Sequence, residues 1–267
     1  MLTTLLGGRA FAEKTGSGPT RVVALHGWAR TRADWAPVLA DTDALALDLP
    51  GHGATPEPDA AWGAAEYADF VIEVLETLDR PVLAGHSFGG RVAITVAAKR
   101  PDLVRGVVLT GVPLLRKQPT GGGRKPALGY RVMRALHRRG LVGDDKMEQL
   151  RRKHGSADYA NARGVMREIL VKLVNEDYRE ELVTVAEHGV PVAMVWGEHD
   201  TAAPVPMARE ALDLLGEVAT LTVVPGSAHL LDAALVAELQ QAIAVLRESE
   251  PTQTAAVTDP STPEEER

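Results

Sequence analysis

The sequence predicts an α/β fold built on a mainly parallel sheet. Three observations carry this. Short apolar, β-branched runs recur between glycines and prolines, which is how strands buried on both faces read. Amphipathic or wholly apolar helical patterns lie between them, and strand–helix alternation implies parallel pairing. One long stretch breaks the rhythm and reads as an insertion.

The runs come in order. Arg21–Leu25 ends at His26-Gly27, and 44–47 ends in Asp48-Leu49-Pro50-Gly51-His52-Gly53. Pro81–Ala84 leads into Gly85, and 106–109, 191–196 and 219–224 complete the set of six. Residues 64–78 carry apolar side chains at Tyr67, Phe70, Val71, Val74, Leu75 and Leu78, a stripe of helical period. Residues 88–99 are small and apolar almost all round, so they predict a buried helix that stops before Pro101. Residues 206–215 and 230–247 predict two more helices.

From Leu115 to about Ala186 no strand is predicted. Residues 119–126 are rich in Gly and Pro and read as a loop, followed by helices expected near 129–139, 144–153, 159–175 and 178–187. The organisation expected is a core of residues 1–114 and 187–248, a helical cap insertion at 115–186, and a disordered tail at 249–267, where apolar residues are scarce.

The bulk composition narrows the functional classes. With 267 residues, 45% of them hydrophobic but only 4% aromatic, the chain suits one large domain with an aliphatic core. It has no cysteine, which removes disulfides, thiolate metal sites and a cysteine nucleophile. Net charge is −7, the wrong sign for a nucleic-acid binder. No apolar run approaches the roughly 20 residues of a membrane span, and residues 1–8 lack the features of a signal peptide. A cytoplasmic protein without stable membrane insertion is therefore expected. Between Arg116 and Glu180 there are 16 Lys/Arg against 8 Asp/Glu. This block reads either as an attraction for an anionic substrate or as solvated helix faces, and charge runs are usually the latter.

The chemistry concentrates in a few short segments. Gly85-His86-Ser87-Phe88-Gly89 fits G-x-S-x-G between a strand and a helix, so Ser87 is the expected nucleophile. The flanking glycines suit a turn too tight for side chains. A serine needs a base, and His229 follows the last predicted strand, where parallel topology brings loop ends together. The acid should sit in Trp196-Gly197-Glu198-His199-Asp200. Asp200 is the choice and Glu198 its local rival. The order Ser87, Asp200, His229 is nucleophile, acid, base. Backbone N–H groups of Phe88 and Trp28 are the expected oxyanion donors, with His26 shaping the loop that carries Trp28.

These segments, with Asp48–Gly53, Gly90 and Gly226-Ser227-Ala228-His229, resemble the α/β-hydrolase superfamily from about Arg21 to Arg247, the insertion excepted. The resemblance implies an α/β-hydrolase fold with a helical cap and a serine hydrolase of carboxylesterase type; no H-E-x-x-H spacing, G-x-G-x-x-G or P-loop is present, so no metal and no cofactor are expected. It assigns Asp48 and His52 a structural loop. Serine at position 87 argues against members with an aspartate nucleophile. Thioesters, lactones, C–C bonds and perhydrolysis stay open as alternatives, as does a non-catalytic ligand-binding protein on the same fold. The expected partner is a small ester-like substrate, with an anionic one among the options.

Overall fold

A computed structural model describes residues 1–116 and 157–248. The expected loop at 119–126, the helices near 129–139 and 144–153, and the tail at 249–267 lie outside the described residues.

The six predicted runs all form strands: β3 (Val22–Leu25), β4 (Ala44–Asp48), β5 (Val82–His86), β6 (Gly106–Thr110), β7 (Val192–Gly197) and β8 (Ala219–Val224). Two more precede them, β1 (Leu2–Leu5) and β2 (Ala10–Thr15). The eight strands make one sheet in the order β1-β2-β4-β3-β5-β6-β7-β8. β1 and β2, and β2 and β4, pair antiparallel, and every other neighbour is parallel. The β1–β2 hairpin escaped the sequence reading for a physical reason. It is an edge feature with alternating burial, and β2 carries Glu13 and Lys14, so it offers no continuous apolar run.

Alternation along the strands divides the core in two. Val23, Leu25, Leu45, Leu47, Leu83, Val107 and Leu109 face one helical layer. This layer contains α2 (Ala64–Leu75), α3 (Phe88–Lys99), α6 (Arg179–Glu187) and α7 (Val205–Leu215). Val22, Ala24, Ala44, Ala46, Val82, Ala84 and Val108 face the other side, packed on Trp35, on α1 (Ala36–Leu39) and on α8 (Ala233–Glu248). The run of alanines there gives α8 a shallow bed. Its Leu235, Leu239, Ile243 and Leu246, spaced three and four apart, fill that bed.

One helical expectation changes, and one helix was not expected. Residues 157–173 form two helices, α4 (Ala157–Asn161) and α5 (Gly164–Leu173), in place of one. The break falls where Arg163 is extended and Gly164 takes φ +51°, a conformation that interrupts a helix and suits glycine. Residues 32–39, which carried no prediction, form a 3-10 turn continuing into α1, with the Thr31 hydroxyl accepting from the Ala33 N–H. Helix α6 forms where 178–187 predicted one, and stands beside α3 and α7 with Leu182 and Val185 buried.

α5 lies against the core through Met166, Ile169, Leu170 and Leu173. Its end is tied down by polar contacts. Lys172 Nζ lies 3.0 Å from Glu66 Oε1, and Glu176 Oε2 accepts from the Ala64 N–H at the start of α2 (3.2 Å). Arg91, on α3, donates to the carbonyls of Pro113 (3.1 Å) and Leu173 (2.9 Å). Among the described residues no helix is long and apolar enough to cross a membrane.

The alanine bed yields a stability prediction. Ala84 is fully buried under α8, so Ala84→Leu overpacks that face. A loss of about 1–3 kcal/mol is expected in urea denaturation.

Candidate active site

The parallel strands deliver their loops to one edge of the sheet. There the turn from β5 into α3 is tight. Ser87 has φ 51° and ψ −110°, a conformation that costs a non-glycine residue roughly 1–3 kcal/mol. The surroundings leave no room to relax it. A Cβ at position 85 would lie 2.5 Å from the Gly90 Cα, and one at 89 would lie 2.3 Å from the Leu25 carbonyl oxygen. Hydrogen bonds then lock the turn: Ser87 N–H donates to Thr110 O (3.0 Å) and Gly89 N–H to His26 O (3.0 Å).

The structure brings Asp200 and His229 into direct contact. His229 Nδ1 lies 2.8 Å from Asp200 Oδ2. The Asp200 side chain is fully buried, and its other oxygen accepts from the N–H groups of Ala202 and Ala203, both at 2.8 Å. A carboxylate so held is an acceptor, so the imidazole proton sits on Nδ1 and Nε2 keeps a basic lone pair. Glu198 is turned elsewhere: it is half exposed and accepts from the Gly226 N–H (3.0 Å). His199 is exposed beside it.

Ser87 and His229 share no hydrogen bond between their side chains. The link between their loops is His86, whose Nε2–H donates to the His229 carbonyl (2.9 Å) and whose ring centroid stands 4.9 Å from that of His229. Sequence reasoning gave His86 no such part. The position next to Ser87 was the signal, but its partner lies 143 residues away. Gly111 was also missed. It follows β6 at φ +58°, and a Cβ there would sit 3.0 Å from both Asp200 Oδ2 and His229 Nδ1.

The loop after β3 closes the other side. A Cβ on Gly27 would lie 3.5 Å from the Ser87 Cβ, so this loop abuts the turn. His26 holds it: Nε2 accepts from the Leu49 N–H (3.0 Å), leaving Nδ1–H to donate to Gly27 O (2.7 Å). Among the described residues the N–H groups of Trp28 and Phe88 have no acceptor. The Trp28 ring meets His52 edge-on at 5.0 Å and Phe88 at 5.6 Å. Behind them Asp48 accepts from the N–H groups of Arg32 and Ala54 (both 2.9 Å) and pairs with the Arg32 guanidinium. Thus Asp48 and His52 brace the loop. Among the described residues no cluster of His, Asp and Glu could hold a metal.

Burial has an electrostatic consequence here. Desolvation pushes His26 and His86 down to about 4, with the neighbouring imidazoles of His52 and His229 respectively adding to the effect. Burial lowers His52 as well.

Residues 22–239 match the model of the alpha/beta hydrolase family. The chain is 38% identical over 102 residues to 2-(acetamidomethylene)succinate hydrolase of Mesorhizobium japonicum, 36% of each protein. It is 40% identical over 102 residues to Lipase LipV of Mycobacterium tuberculosis, 35% of this chain and 37% of the lipase. These matches span about a third of each relative's length. The solved E-2-(acetamidomethylene)succinate hydrolase superposes with a TM-score of 0.64 at 23% identity, over 93% of this chain and 99% of that one. At that identity the likeness is one of fold.

The buried histidines predict the acid limb of stability. An unfolded histidine takes up its proton near pH 6.5, whereas His26 and His86 stay neutral to about 4. The unfolded state therefore binds more protons in that window, and stability falls as pH falls through it. Chemical denaturation at pH 7 and pH 5 should differ by about 4 kcal/mol from these two groups. Equal stabilities would show that the imidazoles protonate in the folded chain.

Proposed function

This chain belongs to the alpha/beta hydrolase family, and from that premise we propose that it is a serine hydrolase acting on a carboxylic ester, thioester or lactone through an acyl-enzyme on Ser87. The observation that carries the reading is the pairing of His229 Nδ1 with the buried, twice-anchored Asp200 carboxylate, at the sheet edge that also holds the strained Ser87 turn.

In this mechanism Ser87 Oγ attacks the substrate carbonyl carbon while His229 Nε2 takes its proton. Asp200 keeps the imidazole in the needed tautomer and offsets the charge it gains. The negative charge that develops on the carbonyl oxygen is met by the N–H groups of Phe88 and Trp28, the former at the start of α3 where the helix dipole adds to it. The leaving group departs with the proton from His229. Water then attacks the acyl carbon with His229 again as base, and Ser87 is released. The strain at Ser87 serves this chemistry by presenting Oγ above the strand end.

Trp28, Phe88 and His52 supply an apolar wall for the acyl group, and α5 supplies the facing cover. What supports the latter is Met166, whose Sδ fills the space a side chain at Gly51 would need. On this reading the insertion caps the site.

Ser87→Ala should abolish turnover of short p-nitrophenyl esters, by about 10³-fold or more, and should abolish labelling by fluorophosphonate probes. Labelling that persists in this variant would place the nucleophile elsewhere.

The acid is tested separately. Asp200→Asn leaves the site packed but removes the preference for the reactive tautomer, so kcat should drop by roughly 10⁴-fold with a small change in KM. Glu198→Gln should leave both nearly unchanged. The reverse pattern in steady-state kinetics would make Glu198 the acid.

A further inference from the structure

The Ser87 turn and the base loop meet through the His86 side chain. His86 is the last residue of β5, a strand paired with β3 on one side and β6 on the other. Its ring is buried between two loops. On one side a Cβ on Gly27 would lie 3.0 Å from His86 Nδ1, so the loop after β3 packs against the ring where that glycine leaves room. On the other side Nε2 lies 2.9 Å from the His229 carbonyl oxygen. A carbonyl only accepts, so Nε2 carries the proton and Nδ1 is left with a lone pair. Among the described residues that Nδ1 is buried with no partner.

An orphaned buried nitrogen is unfavourable, and an apolar side chain of similar size would avoid it. What the imidazole offers in return is the Nε2–H. The loop that carries His229 has other anchors, but they hold residues that flank it. The Ser227 carbonyl accepts from the His199 N–H (2.8 Å), and Asp232 caps the Leu235 N–H (2.9 Å). Asp200 anchors the imidazole ring of His229, and His86 anchors its main chain. His86 also precedes Ser87 directly, so the span from nucleophile to base is one peptide bond, one rigid ring and one hydrogen bond. Burial, and then the neighbouring His229, hold His86 neutral down to about 4. It therefore donates without adding a charge that would oppose an imidazolium at His229.

We infer that His86 is a positioning residue, whose Nε2–H fixes the main chain of His229 relative to Ser87 and so holds the base where it can take the serine proton. This role presupposes the proposed acyl-enzyme on Ser87 and adds to it the contact that keeps nucleophile and base in register. Misplacing a reacting group by about 1 Å costs roughly 10²-fold in rate. Loss of the donor should therefore appear in kcat and not in KM.

The test compares His86→Gln, whose amide N–H reaches about as far as Nε2–H, with His86→Met, which fills similar space and donates nothing. His86→Asn, whose shorter amide reaches only as far as Nδ1, gives a second variant without the bond should H86M not fold. Urea denaturation establishes which variants are folded. On a short p-nitrophenyl ester, H86M should lose about 10- to 100-fold in kcat with KM changed less than about twofold, and H86Q should recover to within about fivefold of the parent chain. A second readout needs no turnover. The low-field NMR signal of the proton between His229 Nδ1 and Asp200, identified by its loss in Asp200→Asn, should broaden or vanish in H86M and persist in H86Q. Unchanged kcat in the folded variant without the bond, or a signal as sharp as in the parent chain, would overturn this role. So would equal impairment of H86Q and H86M, which would reduce His86 to packing, or a raised KM at unchanged kcat, which would make it a substrate contact. Failure of the hydrolase assignment looks different: the parent chain would neither turn over esters nor label with fluorophosphonate, while the NMR comparison would still decide whether His86 positions His229.

Discussion

The turn at Ser87 is the constraint on which the rest of the architecture depends. A serine held at φ 51° is unfavourable by itself, so its surroundings must leave no alternative. They do this with absent side chains. Gly85, Gly89 and Gly90 let α3 start directly against β5 and let the β3 loop press on both. β3 can then pair with β5, and β5 with β6, in the tight order that centres the turn in the sheet. Adding one methyl at position 89 would drive apart the carbonyl of Leu25 and the start of α3, and with them the two elements that flank the candidate oxyanion site.

The second layer of organisation is a division of labour between the sheet's faces. Bulky Leu and Val side chains fill the space beneath α2, α3, α6 and α7, and alanines let α8 lie close on the other side. Because α8 is seated firmly, the loop before it is held too: Ser227 Oγ donates to Asp232 Oδ1 (3.0 Å), which also caps Leu235 N–H (2.9 Å). His229 lies within that braced loop. Packing on one face of the sheet thereby fixes His229 at its edge, and the buried His86 adds a direct tie from the Ser87 turn to the His229 carbonyl.

The polarity of a parallel sheet gives the molecule two unlike edges. At the C-terminal ends of the strands, loops deliver Ser87, Asp200 and His229. At the N-terminal ends, short connections leave arginines in register. The same strand pairing that gathers the loops of Ser87, Asp200 and His229 at one edge puts Arg21, Arg80 and Arg105 in register at the other.

The sequence by itself determined what depends on local chemistry. Six β-branched runs, an apolar helix behind Ser87, and the chain order of serine, aspartate and histidine were readable because each rests on neighbouring residues and on the general rule that parallel strands share an edge. Tertiary structure decided what depends on partners distant in the chain. The β1–β2 hairpin exists through pairing with β4, not through its own pattern. Helix α6 joins the core because α3 and α7 offer it a bed. Asp200 and not Glu198 meets His229 because the turn after β7 aims one carboxylate inward and the other at Gly226. His86 and Gly111 acquire meaning only when residues far apart in sequence come into contact, which no single-sequence pattern encodes.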